Sequence, residues 1–172
     1  MLPLFSLPDV AAQPERAPPN AAAITLALPR LLKDGEQITN RPSLAAGNDP
    51  KRPYDLETNL RVAEFKLSHW KGADAMRKRQ TFKDLVHLAA DASDRHPELF
   101  LGGKAPERFL RSSRSTASWG LDRSPATQKL FTERFGSLDM RIADFTAGPG
   151  SRVRITGLTS LVPEVAQVAQ TI

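Results

Sequence analysis

The sequence contains no cysteine, and this absence narrows the chemistry that the chain can perform. Disulfides, zinc–thiolate centres and cysteine nucleophiles are excluded, and the composition fits a reducing compartment, so we expect a cytoplasmic protein. No run of roughly 18 apolar residues occurs, so no segment is expected to span a membrane. Glycine-rich loops of the Walker or dinucleotide-binding type are also missing. The three histidines, His69, His87 and His96, are too scattered to support a serine triad.

The composition that is present favours a globular domain with an anionic partner. A chain of 172 residues with 40% hydrophobic and 25% charged residues is long and apolar enough for one hydrophobic core. The net charge is +5 and the pI is about 9.9. Arginine outnumbers lysine by 16 to 8, and its planar guanidinium group suits phosphate. A polyanion is therefore the class of partner that the composition favours.

Hydrophobic periodicity and turn residues predict the order of the elements. Residues 1–20 contain five prolines and are expected to form a flexible arm, and residues 21–172 to form a single domain. The predicted pattern is a mixed α/β domain, a small sheet with helices packed on it. Helices are predicted over 20–35, roughly 72–92 and 124–136. Strands are predicted in a hairpin around Thr58 and in the segments ELFLGG, MRIADFT and SRVRITGL, with ERFLRSS either a strand or a short helix.

The hairpin segment RPYDLETNLRVAEFKLSHWKG carries charges in an ordered pattern. Because side chains alternate between the two faces of a strand, Val62, Glu64 and Lys66 share one face. A turn of two or four residues places Asp55 opposite Val62 or Glu64, and so on that same face, where Glu57 joins it. The opposite face is then apolar, made of Ala63, Phe65 and Leu67 with Tyr54 and Leu56 from the first strand.

Two carboxylates converging with a lysine have a clear chemical use. Oxygen ligands from Asp55 and Glu64, with the backbone carbonyl of Phe65, suit Mg²⁺. Lys66 beside such an ion would orient a water molecule and offset the negative charge that builds on a phosphodiester. The acid-x-Lys pattern alone carries little weight, since about one match is expected by chance in this composition. A second match, ending at Lys51, lies in a proline-rich loop and is set aside.

The same face could instead be a solvated strand surface, and the segment that follows favours a phosphate-binding role. From Lys66 to Lys83 there are six basic residues and one acid, and an amphipathic helix begins within this stretch. A basic rim beside an acidic pocket is the arrangement that a phosphate chain requires. A second basic segment follows, rich in arginine and serine. Candidate nucleic-acid-binding residues are Trp70, Lys71, Arg77, Gln80, Lys83, Arg111 and Arg114.

These residues resemble the PD-(D/E)xK nuclease superfamily, which has the restriction-endonuclease-like fold. The motif corresponds to PYD ending at Asp55 and to EFK from Glu64 to Lys66, followed by an amphipathic helix and the strand ELFLGG. The resemblance covers roughly residues 20–105. It implies an α-β-β-β-α-β core and Mg²⁺- or Mn²⁺-dependent phosphodiester cleavage.

The resemblance also implies a role for each site residue. Asp55 and Glu64 would be metal ligands, and Lys66 would be the catalytic lysine. Many members carry a further glutamate on the first helix, for which Glu36 is the candidate. Gln80 corresponds to a glutamine that some members place on the helix after the lysine strand, although the tyrosine that often accompanies it is missing.

Three hypotheses follow, and they differ in class. The first is a metal-dependent nuclease acting on DNA, and a homodimer would suit cleavage of both strands. The second is a catalytically inactive nucleic-acid- or protein-binding module of the same fold. The third is a basic interaction domain unrelated to nucleases, which predicts that the carboxylates of Asp55 and Glu64 do not converge.

Overall fold

The computed structural model describes residues 19–40, 53–68 and 70–163. Most of the proposed N-terminal arm therefore lies outside the described residues. None of the described helices is long and apolar enough to cross a membrane. The strands are β1 (Ile38–Asn40), β2 (Leu56–Thr58), β3 (Arg61–Lys66), β4 (His96–Leu101) and β5 (Arg154–Gly157). The helices are α1 (Pro19–Leu31), α2 (Ala75–Ala90), α3 (Lys104–Ser112), α4 (Ala117–Gly120), α5 (Pro125–Phe135), α6 (Ile142–Ala147) and α7 (Leu158–Leu161), with a short 3-10 helix at Pro149–Arg152.

The five strands form one mixed sheet, in the order β1-β2-β3-β4-β5. The first three strands form an antiparallel meander. β4 then runs parallel to β3, and β5 runs parallel to β4. The connection from β3 to β4 contains α2, as parallel neighbours require a crossover. The fold is therefore mixed α/β, with a five-stranded sheet flanked by helices.

Two hydrophobic clusters cover the two faces of the sheet, and strand alternation assigns each residue to its side. Val62 of β3 belongs to the larger cluster, which includes α2, α5 and α6. Ala63 and Phe65, which point the other way, belong to the cluster that includes α1. The rings of Phe65 and Phe100 stack at 4.9 Å between paired positions of β3 and β4. Full burial of each such side chain contributes about 1.5–3 kcal/mol.

Several predicted elements are confirmed. The hairpin, the amphipathic helix α2, the strand β4 and the helix α5 lie where periodicity predicted them. The segment ERFLRSS lies in a helix, α3, and α5 begins at Pro125 and ends just before Gly136, whose φ of 100° suits glycine. α1 ends four residues earlier than predicted, before a turn in which Gly35 has φ 79°.

One predicted strand is wrong. MRIADFT was expected to be extended, but Ile142–Ala147 is the helix α6. Its buried residues are Ile142, Phe145 and Thr146, and this i, i+3, i+4 spacing is that of one helical face. The last predicted strand, SRVRITGL, is confirmed in part as β5.

Candidate active site

The candidate site lies at the carboxyl end of β3, and the hairpin register brings Asp55 to it. Leu56 pairs with Ala63 and Glu57 with Val62, so continuing the antiparallel register by one residue sets Asp55 across from Glu64. Asp55 lies one residue before β2, and its side chain, rather than its backbone, makes the next hydrogen bond to β3. Its Oδ2 accepts a hydrogen bond from the backbone N–H of Phe65 at 2.9 Å. The carboxylate is thereby fixed beside Glu64.

Lys66 is held between two carboxylates. Its Nζ lies 2.6 Å from Oδ2 of Asp84 and 3.5 Å from Oε2 of Glu64. Asp84 is on α2, which covers this face of the sheet, and it is only 7% exposed. Gln80, one turn earlier on α2, donates from Nε2 to Oδ1 of Asp84 at 2.9 Å. A chain of contacts therefore runs from Gln80 through Asp84 to the ammonium group of Lys66.

The electrostatics of the cluster are dominated by burial. Glu64 is 9% exposed, and burial, followed by the charges of Asp84 and Asp55, raises its pKa from 4.5 to about 9. Burial also raises the pKa of Asp84, although Lys66 opposes this. Burial alone would lower the pKa of Lys66, but the carboxylates of Asp84 and Glu64 outweigh it and raise that pKa. The ammonium group therefore stays charged, while the carboxylates compete for protons.

The donor set fits a divalent cation. Three carboxylates face one ammonium group, so full ionisation would leave three minus one, or two, excess negative charges in a buried place. The hairpin register sets Asp55 across from Glu64, its carboxylate accepts from the N–H of Phe65, and its charge contributes to the raised pKa of Glu64, so the two carboxyl groups lie on one face. Mg²⁺ and Mn²⁺ prefer hard oxygen donors, and a divalent cation would balance the excess negative charge of this cluster.

The number of side-chain ligands is small. Across residues 19–40, 53–68 and 70–163, no group of three or more histidine, aspartate or glutamate side chains is arranged to hold a metal ion. The residues that would hold an ion are two carboxylates, Asp55 and Glu64, with the backbone carbonyl of Phe65. Mg²⁺ commonly keeps several water ligands, so a site of this kind is sufficient for it.

Glu36 is not part of this cluster. Its carboxylate lies 2.6 Å from Nε of Arg61, at the opposite end of β3, and Nη1 of Arg61 lies 2.8 Å from Glu98. Lys66 lies five positions after Arg61 along the strand, a distance of roughly 16 Å. Burial would raise the pKa of Glu36, but hydrogen bonds from Arg61, from the backbone of Lys33 and from Thr58 lower that pKa to about 2. Glu36 therefore belongs to a structural ion-pair network.

Two residues of the hairpin lie elsewhere than in the cluster. Glu57 pairs with Val62, in agreement with the face expected for it, but its carboxylate binds Nη1 of Arg95 at 3.0 Å, so Asp84 is the third acid of the cluster. Tyr54 was expected on the apolar face with Leu56. It packs instead against the cluster on the α2 side, and its hydroxyl group donates to Oδ2 of Asp91 at 3.0 Å. Tyr54 precedes β2, so strand alternation does not determine where it points.

The predicted nucleic-acid-binding residues are dispersed over several elements and do not form one group. Trp70 is half-buried, and its ring lies 5.7 Å from that of Phe109 on α3. Gln80 and Lys83 line a pocket of about 240 Å³ between α2 and the α4–α5 connection. The remaining predicted residues, Lys71, Arg77, Arg111 and Arg114, are exposed, with Arg77 3.1 Å from Asp74 and Arg111 2.9 Å from Glu107.

Asp84 is the site residue that sequence reasoning missed. On a helical wheel it falls with the polar residues of α2, and this placed it towards solvent. Its spacing of four from Gln80 was the available signal, because side chains at i and i+4 contact each other on a helix. Comparison of the chain with protein-family models, with curated proteins and with solved structures gives no match. Function therefore has to be inferred from the geometry and chemistry of these side chains.

Proposed function

We propose that this chain is a metal-dependent nuclease of the restriction-endonuclease-like fold that hydrolyses phosphodiester bonds in DNA. The observation that carries the proposal is the meeting of Asp55, Glu64 and Lys66 at the end of β3. An unrelated basic interaction domain predicts that these carboxylates stay apart. The order of elements from α1 to β4, an antiparallel meander followed by a helix and a parallel strand, also supports the proposed core.

The mechanism assigns a role to each residue. Asp55, Glu64 and the carbonyl of Phe65 would hold the Mg²⁺ or Mn²⁺ ion. When bound, such an ion polarises the phosphodiester and lowers the pKa of a water molecule. The ammonium group of Lys66 orients the attacking water and offsets the negative charge that develops at phosphorus. The water oxygen forms a bond to phosphorus as the bond to the leaving oxygen breaks. The proton that the water loses passes to solvent, and the leaving oxygen takes up a proton from solvent.

Asp84 and Gln80 act through Lys66. The contact of 2.6 Å between Lys66 and Asp84 restricts an otherwise flexible side chain, and Gln80 fixes the orientation of the Asp84 carboxylate. A lysine restrained in this way needs little reorganisation when substrate arrives. Asp84 and Gln80 are therefore positioning residues.

The test is digestion of labelled single-stranded, duplex and branched DNA, with an RNA set alongside, in Mg²⁺ and in Mn²⁺. Cleavage is expected for the wild-type chain and is expected to disappear in Lys66→Ala and Glu64→Ala. The matched control is Lys129→Ala, because Lys129 is an exposed lysine on α5 far along the chain from β3. Intact DNA in every combination would reject the nuclease. Gel filtration of the same protein tests the proposed homodimer.

A second candidate is a catalytically inactive nucleic-acid-binding module of the same fold. The close pairing of Lys66 with Asp84 favours it, because an ammonium group already neutralised by a carboxylate attracts a phosphate less strongly. This module would bind DNA without cleaving it in either metal. Its affinity would also be the same with and without Mg²⁺, apart from the general effect of salt.

A further inference from the structure

A groove of about 540 Å³ lies between the segment that follows β3, the first part of α2 and the helix α3. This volume is in the range of pockets that hold drug-sized ligands, roughly 300–1,000 Å³. The groove is separate from the Asp55–Glu64–Lys66 cluster, since none of those residues lines it. The lining residues that matter below are Trp70, Lys78, Lys104, Arg108, Phe109 and Ser112.

The charge of the groove has one sign. Lys78, Lys104 and Arg108 line it, and none of its lining residues is acidic. Among the described parts of the chain, no carboxylate lies within ion-pair distance of these three cations. Neighbouring arginines differ in this respect, because Arg111 is paired with Glu107. Three cations without an acidic partner in the groove are suited to phosphate groups.

Two aromatic rings lie in the same groove. The ring centroids of Trp70 and Phe109 are 5.7 Å apart at an interplanar angle of 56°, and Nζ of Lys78 is 5.9 Å from the Phe109 centroid. Both rings are half-buried, so part of each is accessible. Rings that are supported from behind and accessible in front can stack on nucleic-acid bases. Bases stack on protein rings only where they are not already stacked and paired in a duplex.

The groove lies at the edge of the sheet that also holds the candidate active site. β3 and β4 are parallel, with Lys66 paired to Leu101, so the segments that follow them leave at the same edge. Trp70 comes four residues after Lys66, and Lys104 comes three residues after Leu101. In parallel sheets, ligands bind at this carboxyl edge of the strands. A nucleic-acid strand bound in the groove would therefore approach the carboxyl end of β3.

We propose that this groove binds an unpaired segment of DNA, with bases against Trp70 and Phe109 and phosphates against Lys78, Lys104 and Arg108. The inference deepens the proposed function, because it makes DNA with a single-stranded segment the substrate class of the neighbouring site. A regular duplex would contact the cations but would leave the two rings without a base. The groove thus discriminates between unpaired and paired DNA.

The binding test measures fluorescence anisotropy of labelled oligothymidine of about 12 nucleotides, against a blunt duplex of the same length made of two complementary strands. Divalent metal is chelated, so the result does not depend on cleavage, and loss of nuclease activity would leave this test intact. The wild-type chain is expected to bind the single strand more tightly than the duplex. Trp70→Ala is expected to weaken single-strand binding by about 5- to 150-fold, since stacking is worth about 1–3 kcal/mol per base.

Companion variants separate stacking from charge and from misfolding. Trp70→Phe keeps an aromatic ring and is expected to retain most of the affinity. Arg108→Ala is expected to reduce the salt dependence of single-strand binding by about 0.7 in the log–log slope, whereas Lys129→Ala is expected to change neither slope nor affinity. Equal affinity for both DNAs, or equal loss of affinity in Trp70→Phe and Trp70→Ala, would overturn the proposal. So would wild-type binding by a folded Trp70→Ala protein.

Discussion

Replacing Glu64 by glutamine is expected to abolish cleavage and, in the metal-free protein, to stabilise the fold. Glu64 is buried beside Asp55 and Asp84, and only Lys66 provides a positive charge. Glutamine keeps the shape of the side chain and does not ionise in either the folded or the unfolded state. If Glu64 were a structural residue, the same change would be neutral or destabilising.

The magnitude follows from the protons that Glu64 binds in the two states. In the unfolded chain Glu64 ionises near 4.5, whereas in the folded chain its pKa is raised to about 9 by burial and by the neighbouring carboxylates. The folded state therefore keeps a proton that the unfolded state has released, and stability falls as pH rises from 4.5 towards 9. Each pH unit in that window costs about 1.4 kcal/mol. The pH interval from 4.5 to 7 would cost at most about 3 kcal/mol if Glu64 titrated alone, and because its charge interacts with that of Asp84 we expect the wild-type chain at neutral pH to be weakened by roughly 2–3 kcal/mol.

The assay is urea unfolding of the wild-type and Glu64→Gln proteins from acid to neutral pH, with divalent metal chelated. The variant is expected to be more stable by roughly 2–3 kcal/mol at neutral pH and to match the wild type below the ordinary pKa of a glutamate. The control is Glu133→Gln, because the Glu133 side chain is 61% exposed. That exposed change is expected to alter stability by no more than about 0.5 kcal/mol at any pH.

The reasoning fails if Glu64→Gln is less stable than the wild type at neutral pH while remaining folded. It also fails if the difference between the two proteins does not change with pH. Addition of Mg²⁺ supplies an independent check. The wild-type protein is expected to gain stability from the ion through binding linkage, and Glu64→Gln is expected to gain much less.

Three further changes have defined outcomes. Arg61→Met removes the cation of Glu36 and leaves Glu98 only the more distant Arg154 at 3.7 Å, and it is expected to destabilise the fold by about 3–5 kcal/mol in neutral urea unfolding; since Arg61 lowers the pKa of Glu36, the loss should shrink as pH falls below 4.5 towards 2. Gly102→Ala would set a Cβ 2.7 Å from the backbone oxygen of Leu67, and a thermal melt should show a loss of about 1–3 kcal/mol. Asp84→Asn is expected to lower kcat by about 10- to 100-fold with little change in KM, because Lys66 loses its restraint; unchanged or faster single-turnover cleavage would contradict this role.

Strand alternation accounts for the part of the site that could be predicted from sequence. It places Glu64 and Lys66 on one face of β3 and Phe65 on the other, and the structure has the same arrangement. This succeeded because the period of a strand is two, and a slip of one residue would bury every charge on the wrong face. Asp55 lies one residue before β2, and the hydrogen bond from the N–H of Phe65 to its carboxylate holds it on the face that the continued hairpin register predicts.

The rest depended on contacts between distant segments. Asp84 falls on the polar side of α2 in the sequence pattern, and only the packing of α2 on the sheet brings it to Lys66. Tyr54 lies outside the strand, so alternation says nothing of its direction. The short apolar pattern of α6 fits both the two-residue period of a strand and the 3.6-residue period of a helix, so sequence alone does not separate them. The helix forms because Ile142 and Phe145 then enter the same hydrophobic cluster.

β3 has a cation held by carboxylates at each end, and this affects the register that β3 adopts with its neighbouring strands during folding. Arg61 binds Glu36 and Glu98 at one end, and Lys66 binds Asp84 and Glu64 at the other. A shift of β3 by one residue against its neighbouring strands would turn its apolar side chains to the opposite face of the sheet. A shift by two residues would leave every side chain on its native face. Such a shift would separate both cations from their partners at once. The two anchored ends therefore favour the native alignment of β3, because it keeps both Arg61 and Lys66 with their carboxylate partners.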